Sequence, residues 1–274
     1  MIENIRWLVV TPTLGKSPYL AETIASVRHL PGKVEHIVVC PSSALSEIVI
    51  TAPYSRIVTE PIDGAVGMYG AINIGLRAAR HEYDLFCYLN DDDFFLPDIS
   101  RITSSVIAGE QVIYYGKAKV VDENKKFLYQ FPYSTFSKMA PTFLRHGIMP
   151  FMQPSMIVPR SVMNKVGLFD SSYRYCGDLD FIIRASSVGI SFCRLNYFIA
   201  AFRLRKGQLS GSRSNMVEES AKAFKKAGFG VPSKLQKAIV KMIFSLINLR
   251  TYVDRIRNLG VFTSNEAFYG SKDR

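Results

Sequence analysis

The sequence predicts an α/β protein in which helices cover both faces of a mostly parallel sheet. Through the first hundred residues, short apolar runs alternate with segments of helical periodicity, a pattern typical of parallel sheets. From residue 111, two apolar runs are joined by a turn-rich link, which favours a hairpin. A long amphipathic segment follows near the end of the chain. We therefore expect a regular first half, a mixed second half and a helical tail.

Four strands and two helices are predicted in the first half. The strands span residues 7–10, 34–40, 56–59 and 83–89, and the helices span 19–30 and 68–80. The second half adds a hairpin over 111–121 and 126–131, strands at 155–158 and 197–204, and a helix over 178–188. Ligands of parallel sheets bind outside the carboxyl ends of the strands. The candidate binding loops therefore follow the first four strands, at 11–17, 41–43, 60–67 and 90–95.

The composition indicates a folded protein with a basic surface. The 274 residues are 48% hydrophobic and 21% charged, and the net charge is +11, so the chain can bury a large core and is not disordered. A basic surface suits nucleic acid, an anionic membrane or phosphorylated substrates. No RNA-binding or zinc-finger spacing occurs, so we expect no nucleic-acid partner. The four histidines are scattered, and we interpret all of them as structural.

The cysteines and the N-terminus predict a reducing compartment. None of the four cysteines forms a C-x-x-C pair, and residues 1–6 lack the layout of a signal peptide. The longest apolar stretch, 238–249, is too short to span a bilayer. We expect a cytoplasmic protein, with peripheral attachment to the inner face of the plasma membrane as an open alternative.

Three consecutive carboxylates, Asp91, Asp92 and Asp93, follow the fourth predicted strand. Like charges this close repel each other, and burying them without partners is costly. A divalent cation would remove that cost, and Mg²⁺ is commonly held by one or two carboxylates together with substrate phosphates. The triplet therefore indicates either a metal–nucleotide site at the edge of the sheet or an acidic turn whose carboxylates face water.

Several short segments, taken in order, resemble the family 2 glycosyltransferases of the GT-A fold. They are residues 9–13, 60–64, 69–75, 90–93, 153–155, 165–170, 177–180 and 201–204. The resemblance implies a catalytic domain over residues 1–210 and a helical C-terminal extension over 211–274. Within the domain, the donor half would cover about 1–110 and the acceptor half about 111–210.

The resemblance also implies an activity. It is the transfer, with inversion, of a sugar from a nucleotide-diphosphate sugar to a hydroxyl of a saccharide or lipid-linked acceptor, as in surface polysaccharide synthesis. A bound Mg²⁺ or Mn²⁺ would stabilise the charge that develops on the leaving diphosphate. By this resemblance Asp92 binds the metal, Asp93 binds it through water or orients a ligand, and Asp91 lies nearer the donor ribose.

Further roles are implied for the acceptor half. Asp178 matches the carboxylate that takes the proton of the acceptor hydroxyl, although an aspartate at a helix start is also a good N-cap. Gln153 and Asp180 are expected to contact the acceptor. Because Gln153 precedes a proline, it should be extended.

Donor contacts are implied for the first half. Thr11, Pro12 and Thr13 would form the first nucleotide loop, and Asp63 and Asn73 would face the donor. The alternative for Asp63 is a simple Asp-Gly turn. The alternative for Asn73 is a buried polar position within a helix.

The sequence departs from the family pattern in three places, the third of which covers two residues. Cys40 ends the second strand where relatives carry an aspartate that reads the base, Asn90 is a neutral residue at the first acidic position of the metal motif, and Arg205 and Lys206 stand where relatives often carry a histidine. Asn90, Arg205 and Lys206 remain candidate donor contacts, since the two cations can clamp a diphosphate. Loss of metal dependence and an inactive GT-A domain that serves as a binding partner therefore stay open. A nucleotidyltransferase is the rival enzyme class, but no Gly-rich basic phosphate loop occurs near the N-terminus.

The tail carries an apolar stripe with alternating spacings of four and three residues, formed by Leu235, Ile239, Met242, Leu246, Leu249, Val253 and Ile256. This spacing predicts one amphipathic helix of about 25 residues. Three interpretations stay open. The stripe can pack on the catalytic domain, form a homodimer, or dock on an anionic membrane surface, because Lys and Arg residues flank it.

Overall fold

A sheet of nine strands runs through the part of the chain that the structure describes. The computed structural model describes residues 5–61, 66–104, 110–205, 208, 213–229 and 232–262. The strands are β1 (Arg6–Pro12), β2 (Lys33–Cys40), β3 (Arg56–Thr59), β4 (Leu85–Tyr88), β5 (Phe94–Phe95), β6 (Val112–Val121), β7 (Phe127–Gln130), β8 (Met156–Pro159) and β9 (Ser191–Arg203). The helices are α1 (Leu20–Ser26), α2 (Leu45–Thr51), α3 (Gly67–Ala78), α4 (Ala140–Arg145), α5 (Arg160–Val166), α6 (Gly177–Ser187), α7 (Arg213–Lys226), α8 (Lys234–Ile247) and α9 (Leu249–Leu259).

The first half of the sheet is parallel, as predicted. β1 pairs in parallel with β2 and β4, and β2 pairs in parallel with β3. Because successive side chains of a strand point to opposite faces, Leu8 and Val10 join one buried cluster while Trp7 and Val9 join another. Residues of α3, α5 and α6 complete the first cluster. Helices therefore cover both faces, since α1 and α2 supply residues to a further cluster around β2.

The second half of the sheet is mixed, also as predicted. β8 is antiparallel to both β4 and β6, β9 is parallel to β6, and β7 forms the expected hairpin with β6. The strand order is β3-β2-β1-β4-β8-β6-β9-β5. Because β8 is antiparallel to both of its neighbours, β4, β6 and β9 point the same way. Their carboxyl ends reach the same edge of the sheet as those of β1 and β2.

The prediction of a single helix in the tail is wrong. The structure has two helices, α8 and α9, which meet at Asn248. The Asn248 side chain accepts from the amide of Tyr133 at 3.0 Å and donates to the carbonyl of Tyr133 at 3.1 Å. These two buried hydrogen bonds fix Asn248 to the loop after β7, at the point where α8 ends and α9 begins.

None of the helices in the described ranges is long and apolar enough to cross a membrane.

The proposed boundary near residue 210 does not separate two cores. α7 packs on α6 and supplies Ala223 and Phe224 to the same buried cluster as α3. α8 joins the domain through Phe244, whose ring centroid lies 4.9 Å from that of Phe143. α9 lies on β7. The helices of the extension therefore pack directly on the sheet domain.

Candidate active site

The loop after β4 carries the three consecutive carboxylates beside the loop after β1. The Thr13 hydroxyl donates to Oδ2 of Asp91 at 2.6 Å, and the Ser17 hydroxyl donates to the Asp91 carbonyl at 2.7 Å. These loops meet because β1 and β4 are paired neighbours. Burial raises the pKa of Asp91 to about 6. Two of the predicted donor residues, Thr13 and Asp91, are therefore in direct contact.

Asp93 lies beneath this loop and faces the protein interior. Its carboxylate is fully buried, and it accepts from the Arg203 amide at 3.1 Å and from the Asn90 side chain at 3.2 Å. Burial, together with the charge of Asp92, raises the pKa of Asp93 well above its usual range. We therefore correct the prediction of Asp93 as a metal ligand. Its hydrogen bonds hold the loop that carries Asp92, and the other expected role, orienting a metal ligand, stays a prediction.

Arg203 holds the same loop from behind, a role that was not predicted from the sequence. Its side chain is 1% exposed, and its Nε donates to the Asp92 carbonyl at 3.1 Å. Its guanidinium pairs with Glu22 and lies 4.2 Å from the ring centroid of Tyr19. A buried guanidinium requires this many partners. The available signal was a lone arginine within the otherwise apolar segment 199–204.

Arg205 pairs with Asp92 at the edge of the sheet. Its Nε lies 2.6 Å from Oδ2 of Asp92, and the two side chains are 28% and 10% exposed, respectively. Arg205 therefore lies beside the metal motif, where the sequence predicted a cation. Its partner in the structure is the carboxylate of Asp92. Lys206 and Asp63, the other predicted contacts of these loops, lie outside the described residues.

The carboxylate loop fits a metal that is shared with a ligand. In the described ranges, no group of three or more His, Cys, Asp or Glu side chains is arranged to hold an ion. Asp91 and Asp92 supply two carboxylates, and the buried Oδ1 of Asn90 has no hydrogen-bond partner among the described residues. Mg²⁺ commonly binds one or two carboxylates together with phosphate oxygens. These residues therefore fit Mg²⁺ or Mn²⁺ completed by a diphosphate, with Arg205 competing for Asp92.

Asp178 lies in the first turn of α6, which begins at Gly177. The N-cap position belongs to Cys176, whose side chain makes no capping bond, so the interpretation of Asp178 as the N-cap is wrong. Oδ1 of Asp178 accepts from the Leu179 amide at 2.8 Å and from the Tyr69 hydroxyl at 3.1 Å. Burial raises the pKa of Asp178. A raised pKa brings a carboxylate closer to the range in which a general base works well.

Tyr88, the last residue of β4, is buried and feels the charges of both Asp178 and Asp93. Burial, with the charges of Asp178 and Asp93 nearby, raises the pKa of Tyr88 well above its usual range. The side chain of Gln153 donates to the Tyr88 carbonyl at 2.9 Å and so supports the end of β4. Gln153 begins a 3₁₀ turn with Pro154 in its second position, so the prediction of an extended Gln153 is wrong. Residues from three distant segments thus gather around the end of β4.

Thr11 and Pro12 belong to the strand and not to the loop that follows it. The Thr11 hydroxyl lies 3.0 Å from Nε2 of His36, within the buried sheet. Burial lowers the pKa of His36 to about 4, so the imidazole is neutral at neutral pH. Pro12 is the last residue of β1 and is paired with Val39. The donor contact expected for the Thr11 side chain is therefore corrected to a structural hydrogen bond.

Asn73 and Asp180 also have structural partners. Asn73 donates to the Phe169 carbonyl at 2.8 Å and accepts from the Phe169 amide at 3.1 Å. Asp180 is 2% exposed and accepts from Nε of Arg184 at 2.7 Å. Because these polar groups are already paired inside the protein, we correct the donor contact of Asn73 and the acceptor contact of Asp180. Both side chains instead hold α3 and α6 in place.

Glu219 of α7 supports the segment that leads to Asp178, and no sequence pattern indicated it. Its carboxylate accepts from the backbone amides of Arg174, Tyr175 and Cys176 at 2.8, 2.7 and 2.9 Å. Those three residues directly precede α6. After burial, the charge of Glu219 is a further contribution to the raised pKa of Asp178. α7 therefore fixes the loop that presents the candidate base.

Solved glycosyltransferase structures share this architecture. Staphylococcus aureus TarS, residues 1–349 in complex with UDP-GlcNAc, has a TM-score of 0.62 and 14% identity, over 97% of this chain and 78% of that chain. The mannosyltransferase PcManGT from Pyrobaculum calidifontis, in complex with GDP-Man and Mn²⁺, has a TM-score of 0.58 and 15% identity, over 96% and 76%. Glucosyl-3-phosphoglycerate synthase from Mycobacterium tuberculosis, with Mn²⁺, UDP and phosphoglyceric acid, has a TM-score of 0.54 and 15% identity, over 85% and 83%. At these identities the likeness shows the fold, which is GT-A.

Sequence comparisons agree with the fold. An uncharacterized glycosyltransferase of Rickettsia typhi is 24% identical over 224 residues, which cover 77% of this chain and 68% of the relative. An uncharacterized glycosyltransferase of Rickettsia prowazekii is 23% identical over 221 residues, with the same two coverages. The family model described as glycosyl transferase family 2 matches residues 8–167, which is more than half of the chain. The protein therefore belongs to glycosyl transferase family 2.

Proposed function

We propose that this protein is an inverting glycosyltransferase that uses a nucleotide-diphosphate sugar and Mg²⁺ or Mn²⁺. The acceptor is a hydroxyl of a saccharide or lipid-linked molecule, as in surface polysaccharide synthesis. The observation that carries the proposal is the carboxylate loop after β4, where Asp91 accepts from the Thr13 hydroxyl and Asp92 pairs with Arg205, in a chain of glycosyl transferase family 2. Two similar structures hold nucleotide sugars, UDP-GlcNAc in TarS and GDP-Man with Mn²⁺ in PcManGT, and they support a donor of this class.

On the donor side, Asp92 would hold the metal, and Asp91, which the resemblance placed near the donor ribose, would be its second carboxylate ligand. When bound, the metal supplies positive charge to the leaving diphosphate. Thr13 fixes Asp91 by its 2.6 Å hydrogen bond, and Arg203 fixes the backbone of Asp92. Arg205 adds a permanent cation at the same place, so part of the diphosphate charge can be stabilised by the protein itself.

On the acceptor side, Asp178 acts as the general base. It takes the proton as the acceptor oxygen forms its bond to the anomeric carbon and the bond to the diphosphate oxygen breaks. Because this is one displacement from the opposite face, a single base is sufficient and the configuration inverts. The Tyr69 hydroxyl holds one carboxylate oxygen of Asp178 at 3.1 Å, so the base is positioned before the acceptor arrives.

A panel of UDP-, GDP-, CMP- and dTDP-sugars, measured by thermal shift with and without Mn²⁺, tests the donor assignment. A ligand that binds only the folded protein raises its apparent stability. We expect one nucleotide class to raise the Tm, and to raise it further with Mn²⁺. Asp92→Ala should remove the Mn²⁺-dependent part. Asp98→Ala, an exposed carboxylate paired with Arg101, should keep it. The absence of any shift with the whole panel would contradict the proposal.

A further inference from the structure

Both helices of the tail carry a row of exposed apolar residues, and we call these residues together the α8–α9 face. It consists of Leu235, Ile239, Met242 and Leu246 on α8, Leu249, Val253 and Ile256 on α9, and Phe262, and each of these residues is 44% to 70% exposed. Except for Phe262, these residues are the stripe that the sequence spacing predicted. Isolated exposed apolar residues are ordinary, but this many at the spacing of one helix side mark an interaction surface.

The α8–α9 face is not the surface by which these helices pack on the domain. α8 packs through Phe244, which is 6% exposed and lies against Phe143. α9 packs through Thr251 and Arg255, which are buried over β7. The interpretation that the stripe belongs to the core is therefore wrong. The helices bury one side against the sheet domain, and no described residue covers the apolar residues on the other side.

Four exposed cations border the α8–α9 face. Lys234 and Lys241 each precede an apolar residue of the face by one position, and Arg250 and Arg257 each follow one, so each lies about 100° around its helix from that residue. The nearby acid, Asp254, lies 3.9 Å from Arg250. Long basic side chains can extend to phosphate groups while their neighbours enter an apolar layer. An apolar row bordered by cations is the pattern of a helix that lies in a membrane interface.

We propose that the α8–α9 face docks on an anionic lipid bilayer. The charge decides between this partner and a second copy of the chain. A two-fold contact through the face would bring the same four cations of each copy together, and the chain as a whole carries +11. An anionic leaflet attracts those cations instead. The contact would be peripheral, since none of the described helices can span the bilayer.

The docked face would lie close to the active-site edge. Leu259, at the end of α9, shares a cluster with Leu204, the residue before Arg205. The Asn258 side chain donates to the Leu128 carbonyl at 2.7 Å and fixes this end of α9 on β7. Docking would therefore hold the edge that carries Asp92 and Arg205 near the lipid headgroups. If the proposed function holds, this placement favours an acceptor that is anchored in lipid. The docking itself does not depend on the chemistry.

Flotation of the full 274-residue chain with lipid vesicles tests the proposal. Vesicles of phosphatidylcholine with phosphatidylglycerol are compared with vesicles of phosphatidylcholine alone, at low and high salt. The face variant carries Lys234→Glu, Lys241→Glu, Arg250→Glu and Arg257→Glu. The matched control has the same change of charge at exposed lysines elsewhere, namely Lys33→Glu, Lys126→Glu, Lys138→Glu and Lys225→Glu. A third variant, Met242→Ser with Leu246→Ser, removes apolar area without changing the charge.

We expect the wild type to bind anionic vesicles at least tenfold more tightly than neutral ones, and to be released by high salt. The face variant and the serine variant should each lose at least tenfold, while the charge control should stay close to the wild type. Unchanged Tm values show that each variant is folded. Equal binding to both vesicle types, equal loss in the control, or no binding at low salt would overturn the proposal. Sedimentation of the wild type as a dimer that the serine variant disrupts would overturn it in favour of a second copy.

Discussion

The guanidinium of Arg205 and the carboxylate of Asp92 form an ion pair with Nε 2.6 Å from Oδ2. In the proposed function, a metal ion bound by Asp92 would compete with Arg205 for the same carboxylate. The positive charge that faces the diphosphate would then come partly from the protein and partly from the ion.

Arg205→Ala tests this competition. Because Asp92 is released, we expect the apparent affinity for Mn²⁺ to rise by about tenfold, or about 1.4 kcal/mol. Binding of a nucleoside diphosphate without metal should weaken, and binding of the nucleoside should not. Calorimetry with the cognate ligands measures both effects. Arg28→Ala, an exposed arginine over Tyr54, is the control. If Arg205→Ala changes neither the affinity for Mn²⁺ nor that for the nucleoside diphosphate, the metal ion and Arg205 do not share Asp92.

Asp178→Asn tests the general base. We expect the rate of nucleoside-diphosphate release to fall by about 100-fold, a typical effect of losing a general base, with donor affinity nearly unchanged. Asp180→Asn is the matched control, because it changes a neighbouring carboxylate that pairs with Arg184. Asp180→Asn should lose about 2 kcal/mol of stability, because its charged hydrogen bond is weakened. Its rate should fall less than the rate of Asp178→Asn. Similar rates for Asp178→Asn and the wild type would rule out the role.

Tyr69→Phe should move the pH profile of the reaction in a defined direction. The Tyr69 hydroxyl donates to Asp178 and thereby lowers the pKa of that carboxyl. Removing it should raise the pKa of Asp178 further, and the base is active only when ionised. The acidic limb of kcat should therefore shift to higher pH. Tyr115→Phe, which removes a buried hydroxyl that donates to the Ser134 carbonyl, should leave the limb in place. A shift to lower pH would contradict the assignment.

Glu219→Gln should move the same limb in the opposite direction. The negative charge of Glu219 contributes to the raised pKa of Asp178, so neutralising it should lower that pKa and shift the acidic limb to lower pH. The glutamine carries no charge and offers one acceptor oxygen where the carboxylate offers two. The loop before α6 is then less firmly held, and kcat should fall several-fold. Glu218→Gln, at an exposed neighbouring position, is the control. An identical profile in Glu219→Gln and Glu218→Gln would show that Glu219 acts on stability alone.

The features that the sequence predicted well are local ones. Strand β3 has the predicted bounds, Arg56–Thr59, and the three carboxylates follow a strand as expected. A strand end can be recognised from its own residues, because an apolar run gives way to polar ones. The break at Asn248 had a signal too, since an asparagine interrupts the apolar segment of the tail.

The features that were missed depend on partners far away in the chain. Arg203 meets Asp93 across 110 positions, and Glu219 meets Cys176 across 43. No spacing rule reports such pairs, because tertiary packing creates them. Thr11 shows a different limit. Its residue type suits a nucleotide loop, but strand β1 continues past it to Pro12, and its hydroxyl is directed to His36.

The bonds from Glu219 to the segment before α6 bear on how this enzyme can be re-engineered. A hybrid can be built by joining the catalytic portion of this chain to the terminal portion of a relative. A junction near residue 210 would give Arg174, Tyr175 and Cys176 a foreign α7, and their amides would lose the carboxylate that they share. A workable hybrid must carry α7 with its own catalytic portion. The exchangeable part then begins at α8.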